Sequence, residues 1–201
     1  LTQTAGTTTA GAGLTLSADS ATAGTVSVTG LLTAAGLTNT GSVTAAQLSG
    51  KTYTGSGTSE LSVTDSATLG SLALSDSGRA DVTKSLTLGT SASDTGSVAA
   101  GTTLTVGETL SVVKGAALTI ASGAVVSADT LALGDASSAG SATVNSSSAS
   151  FKHLTAANGG SVLTNGTDLT LDDVNVADGF TYNQTAGSFK TADNSSFKNA
   201  T

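Results

Sequence analysis

Residues 104–133 read LTVGETLSVVKGAALTIASGAVVSADTLAL. Apolar-x-apolar triplets recur through the stretch: Leu104-Thr105-Val106, Leu110-Ser111-Val112, Leu118-Thr119-Ile120 and Leu131-Ala132-Leu133. The two apolar residues of a triplet are two positions apart, so both point to one face of an extended strand. Gly107, Gly115, Gly123 and the Ser127-Ala128-Asp129 run stand between the triplets, and Val125-Val126 divides the longest gap into two near-equal steps. Strands of three to five residues separated by tight corners describe successive sides of a coil. Hairpin strands run longer. The pattern predicts a β-solenoid whose core is built from Leu104, Val106, Leu110, Val112, Leu118, Ile120, Leu131 and Leu133, with Thr105, Ser111, Thr119 and Ala132 facing outward.

The same pattern extends in both directions. Upstream lie Leu14-Thr15-Leu16, Val26-Ser27-Val28, Leu61-Ser62-Val63, Leu72-Ala73-Leu74 and Leu86-Thr87-Leu88; downstream lie Leu169-Thr170-Leu171 and Val174-Asn175-Val176. Turn signals such as Gly55-Ser56-Gly57 and Asp76-Ser77-Gly78 separate them. The 18 residues from Leu86 to Leu104 match three short sides plus three corners, so coils of roughly 18–22 residues are expected, about ten in all, forming a rod of roughly 50 Å. Residues 134–168 are the least patterned and read as looser corners or a longer excursion. The four phenylalanines, Phe151, Phe180, Phe189 and Phe197, all lie towards the C-terminal end. Gln3-Thr4-Ala5-Gly6 recurs as Gln184-Thr185-Ala186-Gly187.

Composition agrees with a narrow, stacked core. There are 25 Gly, no Pro, Cys, Met or Trp, and only 3% aromatic residues. A compact globule of this length needs large side chains at its centre. A solenoid fills a thin column with stacked Leu, Val and Ala, each coil touching only its neighbours. Proline would remove ladder donors, and a net charge of −7 with scattered Lys and Arg argues against nucleic acid. The absence of cysteine excludes disulfides and thiolate metal sites. No apolar run approaches the length of a transmembrane helix. One solenoid over residues 1–201 is expected, a unit or fragment of a longer repeat array.

Segments such as Gly101-Thr102-Thr103-Leu104-Thr105-Val106, Gly115-Ala116-Ala117-Leu118-Thr119-Ile120 and Asn183-Gln184-Thr185-Ala186-Gly187 resemble the passenger regions of bacterial autotransporters and related large surface adhesins. The resemblance is one of class. It implies a right-handed parallel β-helix, an extracellular location at a bacterial cell surface, and work in adhesion, aggregation or biofilm.

Few residues offer chemistry. His153 is the sole histidine and reads as a surface residue, since a triad would require a placed nucleophile and acid. Asp168, Asp172, Asp173 and Asp178 could supply oxygen ligands to Ca²⁺, but their spacing fits neither the EF-hand loop nor the Gly-rich nonapeptide, and a solvated acidic corner is the simpler reading. Arg79 between Asp76 and Asp81 is the nearest approach to the carboxylate cluster of a β-helical polysaccharide enzyme; turn charge explains it more simply. Thr2-Gln3-Thr4, Thr38-Asn39-Thr40 and Thr52-Tyr53-Thr54 are too irregularly spaced for a flat ice-binding ladder. Asn-x-Ser/Thr sequons at Asn145, Asn165, Asn183, Asn194 and Asn199 are candidate glycan acceptors.

The expected function is therefore structural and adhesive, without catalysis or a cofactor. The rod would self-associate head-to-tail or side-by-side, and surface glycans are further candidate partners. A subunit of an extracellular solenoid filament is the close alternative, and a β-helical polysaccharide-active enzyme, with Tyr53 and Tyr182 as its only tyrosines, is the alternative of another class. The ends, Leu1 and Thr201, read as lacking polar caps, which favours an assembly of stacked units.

Overall fold

The computed structural model describes residues 1–192 and 195–197. It is all-β, with parallel coils stacked into a solenoid of about ten turns. Each coil has three sides. In the first coil they are Thr2–Gln3, Thr7–Ala10 and residues 13–16. Every later coil repeats this order, and each strand pairs in parallel with the strand one coil away. The first side continues through 19–22, 36–39, 52–55 and 71–74 to Thr95–Val98, Ala117–Ile120, Ser141–Val144, Val162–Asn165 and Thr181–Gln184. In residues 104–133 the successive triplets fall on successive sides: Thr103–Val106 on the second, Thr109–Val112 on the third, Ala117–Ile120 on the first.

Alternation drives this arrangement. Along Thr103–Val106 and Thr109–Val112 buried and half-exposed residues alternate, as a strand with one wet face requires. Leu104, Val106, Leu110, Val112, Leu118, Ile120, Leu131 and Leu133 are all buried, while Thr105, Ser111, Thr119 and Ala132 face outward. One inner column on the third side runs Leu32, Leu48, Ala67, Leu86, Leu110, Leu131, Leu154, Val174. Tyr53 is the largest fully buried side chain. Room for its ring comes from Gly55, where a Cβ would lie 3.1 Å from Tyr53 Cε1 and 3.0 Å from Leu74 Cδ2.

Coil length varies more than expected. Leu31 pairs with Gln47, a step of 16 residues, whereas Leu72 pairs with Gly96 and Ala117 with Ser141, steps of 24. Leu86 therefore stacks on Leu110, not on Leu104, which pairs with Ala80 and Val126 on another side. The extra length lies in corners. In the early coils the corners are so short that single strands, Thr25–Asn39 and Ser42–Gly55, run around all three sides. Later corners are hydrogen-bonded turns. At 113–116, Ala116 N–H donates to Val113 C=O at 3.0 Å, and Lys114 and Gly115 both have positive φ, 59° and 80°. At 89–94 the Asp94 carboxylate accepts from Thr90 N–H, Thr90 Oγ1 and Ser91 N–H at 2.7–2.8 Å.

Residues 134–168 are more regular than their sequence suggests. Ser141–Val144 and Val162–Asn165 are ordinary first sides, and Ala149–Ala156 forms the second and third sides of the coil between them; the loose composition belongs to the remaining corners. Phe151 and Phe180 are buried, and Phe189 packs half-buried against the core.

The character of the interior changes along the first side. One inner column of the first side reads Gln3, Thr22, Asn39, Gly55, Leu74, Val98, Ile120, Val144, Asn165, Gln184. It is apolar in the middle and carries hydrogen-bonding side chains in the first three and last two coils.

Candidate functional site

Stacking converts the outward residues into columns. On the third side the central one runs Thr15, Thr33, Ser49, Thr68, Thr87, Ser111, Ala132, Thr155, Asn175. On the second side it runs Thr9, Ser27, Thr44, Ser62, Asp81, Thr105, Ser127, Ser150. The first side adds Thr38, Thr54, Ser97, Thr119, Thr143, Thr164 and Asn183, interrupted by Ala73. Neighbouring strands sit about 4.8 Å apart, so each column offers hydroxyls at a constant interval although their sequence spacing varies. The Thr-x-Thr segments at 2–4, 38–40 and 52–54 all fall on the first side. Thr2, Ala21, Thr38 and Thr54 share one column there, while Gln3, Asn39 and Tyr53 point inward.

Charge gathers on one corner. Between the second and third sides, Ala46, Asp65, Lys84 and Glu108 are linked coil to coil by backbone bonds: Asp65 N–H to Ala46 C=O, Lys84 N–H to Asp65 C=O, and Glu108 N–H to Lys84 C=O, all at 2.9 Å. Gln47 Nε2 donates to Asp65 Oδ2 at 3.0 Å, and Lys84 Nζ lies 2.8 Å from Asp65 Oδ1. The bonds from Lys84 and Gln47 hold the Asp65 carboxyl below its usual range and raise Lys84 in turn. Further along, Lys152 Nζ donates to Asp129 Oδ1 at 2.7 Å. His153 lies between two carboxylates: its Nδ1 bonds Asp173, and its Nε2 lies 3.8 Å from Asp129 Oδ2. The bond to Asp173 raises the imidazole pKa, with smaller contributions from the charges of Asp173, Asp129 and Asp172. All these groups are well exposed to solvent, so each pair contributes little to stability.

Other sequence candidates separate in space. Arg79 forms an exposed ion pair with Asp81 at 2.6 Å, while Asp76 turns away to accept from Gly57 N–H at 3.3 Å. Asp168, the Asp172–Asp173 pair and Asp178 lie at three different corners of one coil and do not converge. Asp168 Oδ1 accepts from Ser188 N–H and Oγ at 2.8 Å. Among the described residues no group of three or more His, Cys, Asp or Glu could hold a metal ion.

The sequons also divide. Asn145 and Asn183 are exposed. Asn165 is fully buried, a correction to its reading as a glycan acceptor: its Nδ2 donates inside the coil to Thr167 C=O at 2.8 Å and to Tyr182 Oη at 3.1 Å. The signal was in the sequence, because Asn165 sits two residues after Leu163, at an inward position. Asn194 and Asn199 lie outside the described residues.

The repeated Gln-Thr-Ala-Gly occupies one corner type, between the first and second sides, in the first and last coils. Gln3 Nε2 donates to Gly6 C=O at 2.8 Å, and Gln184 Nε2 donates to Ala186 C=O. Gly6 and Gly187 both have positive φ, 87° and 72°, a conformation that favours glycine. No family model, curated protein or solved structure matches this chain.

Proposed function

We propose that the protein is an extracellular structural and adhesive rod of a bacterial cell surface, acting through its stiff shape, its hydroxyl-bearing faces and self-association. The observation that carries this reading is the set of in-register Ser and Thr columns on all three sides. Such a surface is polar, nearly uncharged and periodic, suited to many weak hydrogen bonds with a repeating partner such as a polysaccharide or another rod. Avidity over several coils offsets the weakness of each contact. The charged corner adds cross-coil ties rather than a cleft. The resemblance to autotransporter passengers supports the location.

The test is adhesion of beads coated with the chain to bacterial cells and to immobilised polysaccharide. The account expects retention that falls to background when Thr33, Thr68 and Thr87 are all replaced by Glu, with the circular dichroism spectrum unchanged. Retention unaffected by that triple change, and by the corresponding changes on the other two sides, would contradict it.

A further inference from the structure

We infer that Asn158 is a site of spontaneous deamidation in the folded rod, and that the fold protects the other described Asn-Gly pair, Asn165-Gly166, from the same reaction. The inference is independent of the adhesive reading and rests on the chemistry of two corners.

Deamidation begins when the backbone nitrogen after an asparagine reaches that asparagine's Cγ and closes a five-membered ring. A side chain on the following residue hinders the approach, and glycine, with no Cβ, permits it. Among the described residues only Asn158 and Asn165 precede glycine; Asn39, Asn145, Asn175 and Asn183 precede Thr, Ser, Val and Gln.

The two pairs have opposite surroundings. Asn158 is half-exposed in the corner between the third and first sides. Ser161 N–H donates to its C=O at 3.1 Å, and Gly160 N–H donates to its Oδ1 at 2.9 Å. The second bond folds the side-chain carbonyl back over the Asn158-Gly159 peptide and draws electron density from Cγ. The Gly159 N–H, which supplies the nucleophile, has no acceptor among the described residues. Gly159 is also held in place by packing, since a Cβ there would lie 1.8 Å from the Asp178 carbonyl oxygen of the next coil's corner. Asn165, in contrast, is fully buried. Gly166 N–H is committed to Val144 C=O at 2.8 Å. Asn165 Nδ2 is within hydrogen-bond distance of Thr167 C=O, Tyr182 Oη and Gln184 Oε1, at 2.8–3.3 Å. Reaction there requires the coil to open first.

At Asn158 the Gly159 nitrogen gives up its proton to solvent and bonds Cγ. The Cγ–Nδ2 bond breaks, and Nδ2 leaves as ammonia. Water then opens either carbonyl of the resulting succinimide, giving aspartate or isoaspartate. Either product adds one negative charge to a corner that stacks on Asp178 and Gly179.

The test incubates the folded chain, the same chain unfolded in urea, and folded Asn158→Ser side by side in mildly alkaline buffer. Anion-exchange chromatography and peptide mass spectrometry follow the products. The folded chain should accumulate a form with one extra negative charge, located at Asn158, with Asn165 converting about a hundredfold more slowly or less. In urea both asparagines should convert at comparable rates. Asn158→Ser, whose hydroxyl can make a similar turn bond, should yield no such form. The comparison of Asn158 with Asn165 in the unmodified chain requires no variant to fold. Asn158 left intact in the folded chain after it has converted in urea would overturn the inference. So would Asn165 converting as fast as Asn158 in the folded chain, or the acidic form arising equally fast in Asn158→Ser.

Discussion

Leu110 shows how little each coil depends on any single residue type and how much on position. It lies fully buried between Leu86 and Leu131 in the third-side column. Leu110→Ala should cost about 3 kcal/mol through lost transfer energy and a cavity that rigid neighbouring strands cannot close, read as a lowered urea midpoint. Leu118→Asp buries a charge between Gly96 and Ala142, its direct neighbours in the column, and should abolish the cooperative transition; an unchanged melting curve would mean the register is wrong. His153 makes a different prediction. Its folded pKa lies above the ordinary value of 6.5 because of Asp173. The stability it contributes is therefore fully present below about pH 6.5 and is lost as pH rises through the folded value. The imidazole is exposed, so the effect on unfolding is small, and the direct readout is a proton NMR titration. Asp173→Asn should bring the midpoint down towards 6.5; no movement would show that the Asp173 bond does not form in solution.

At the scale of strands and corners, the corner at 89–94 is the informative element. The Asp94 carboxylate is buried, which disfavours its charge, yet the bonds from Thr90 and Ser91 outweigh that and hold its pKa below the ordinary value of 3.8. Its contribution is thus present above that value and lost as pH falls through the folded pKa. Asp94→Ala leaves the Thr90 and Ser91 donors unsatisfied and should cost about 2 kcal/mol, measured by denaturant unfolding at pH 7. The sides were legible in the sequence because period-two alternation is local: Leu104-Thr105-Val106 announces a strand whatever surrounds it. The corners were not, since their length depends on bonds such as Thr90 to Asp94 that no periodicity reports. This is why Leu86 appeared to be one coil from Leu104 when its partner is Leu110. The hydroxyl columns were hidden for the same reason. Steps of 16 to 24 residues scatter Thr33, Ser49, Thr68 and Ser111 along the chain, and only stacking aligns them.

For the whole molecule, about ten coils at about 4.8 Å each give a rod of roughly 50 Å. Its interior is a continuous apolar core in which one first-side column turns polar at Gln3, Thr22 and Asn39 and again at Asn165 and Gln184, and its exterior is a periodic polar surface tied along one corner by charges. The fold, the faces and the end coils all depend on a single claim, the parallel register between coils. That claim is open to a direct measurement because the chain contains no cysteine. Thr87 and Ser111 face outward on adjacent third-side strands in direct register. At about 4.8 Å their Cα separation lies within the roughly 4.4–6.8 Å span of a disulfide. Thr87→Cys with Ser111→Cys should therefore form an intramolecular disulfide on mild oxidation, detected by mass spectrometry of the intact chain. Thr87→Cys with Thr105→Cys, 18 residues apart but on different sides, should remain reduced under the same conditions. Cross-linking of the second pair in preference to the first would contradict the stacked-coil account.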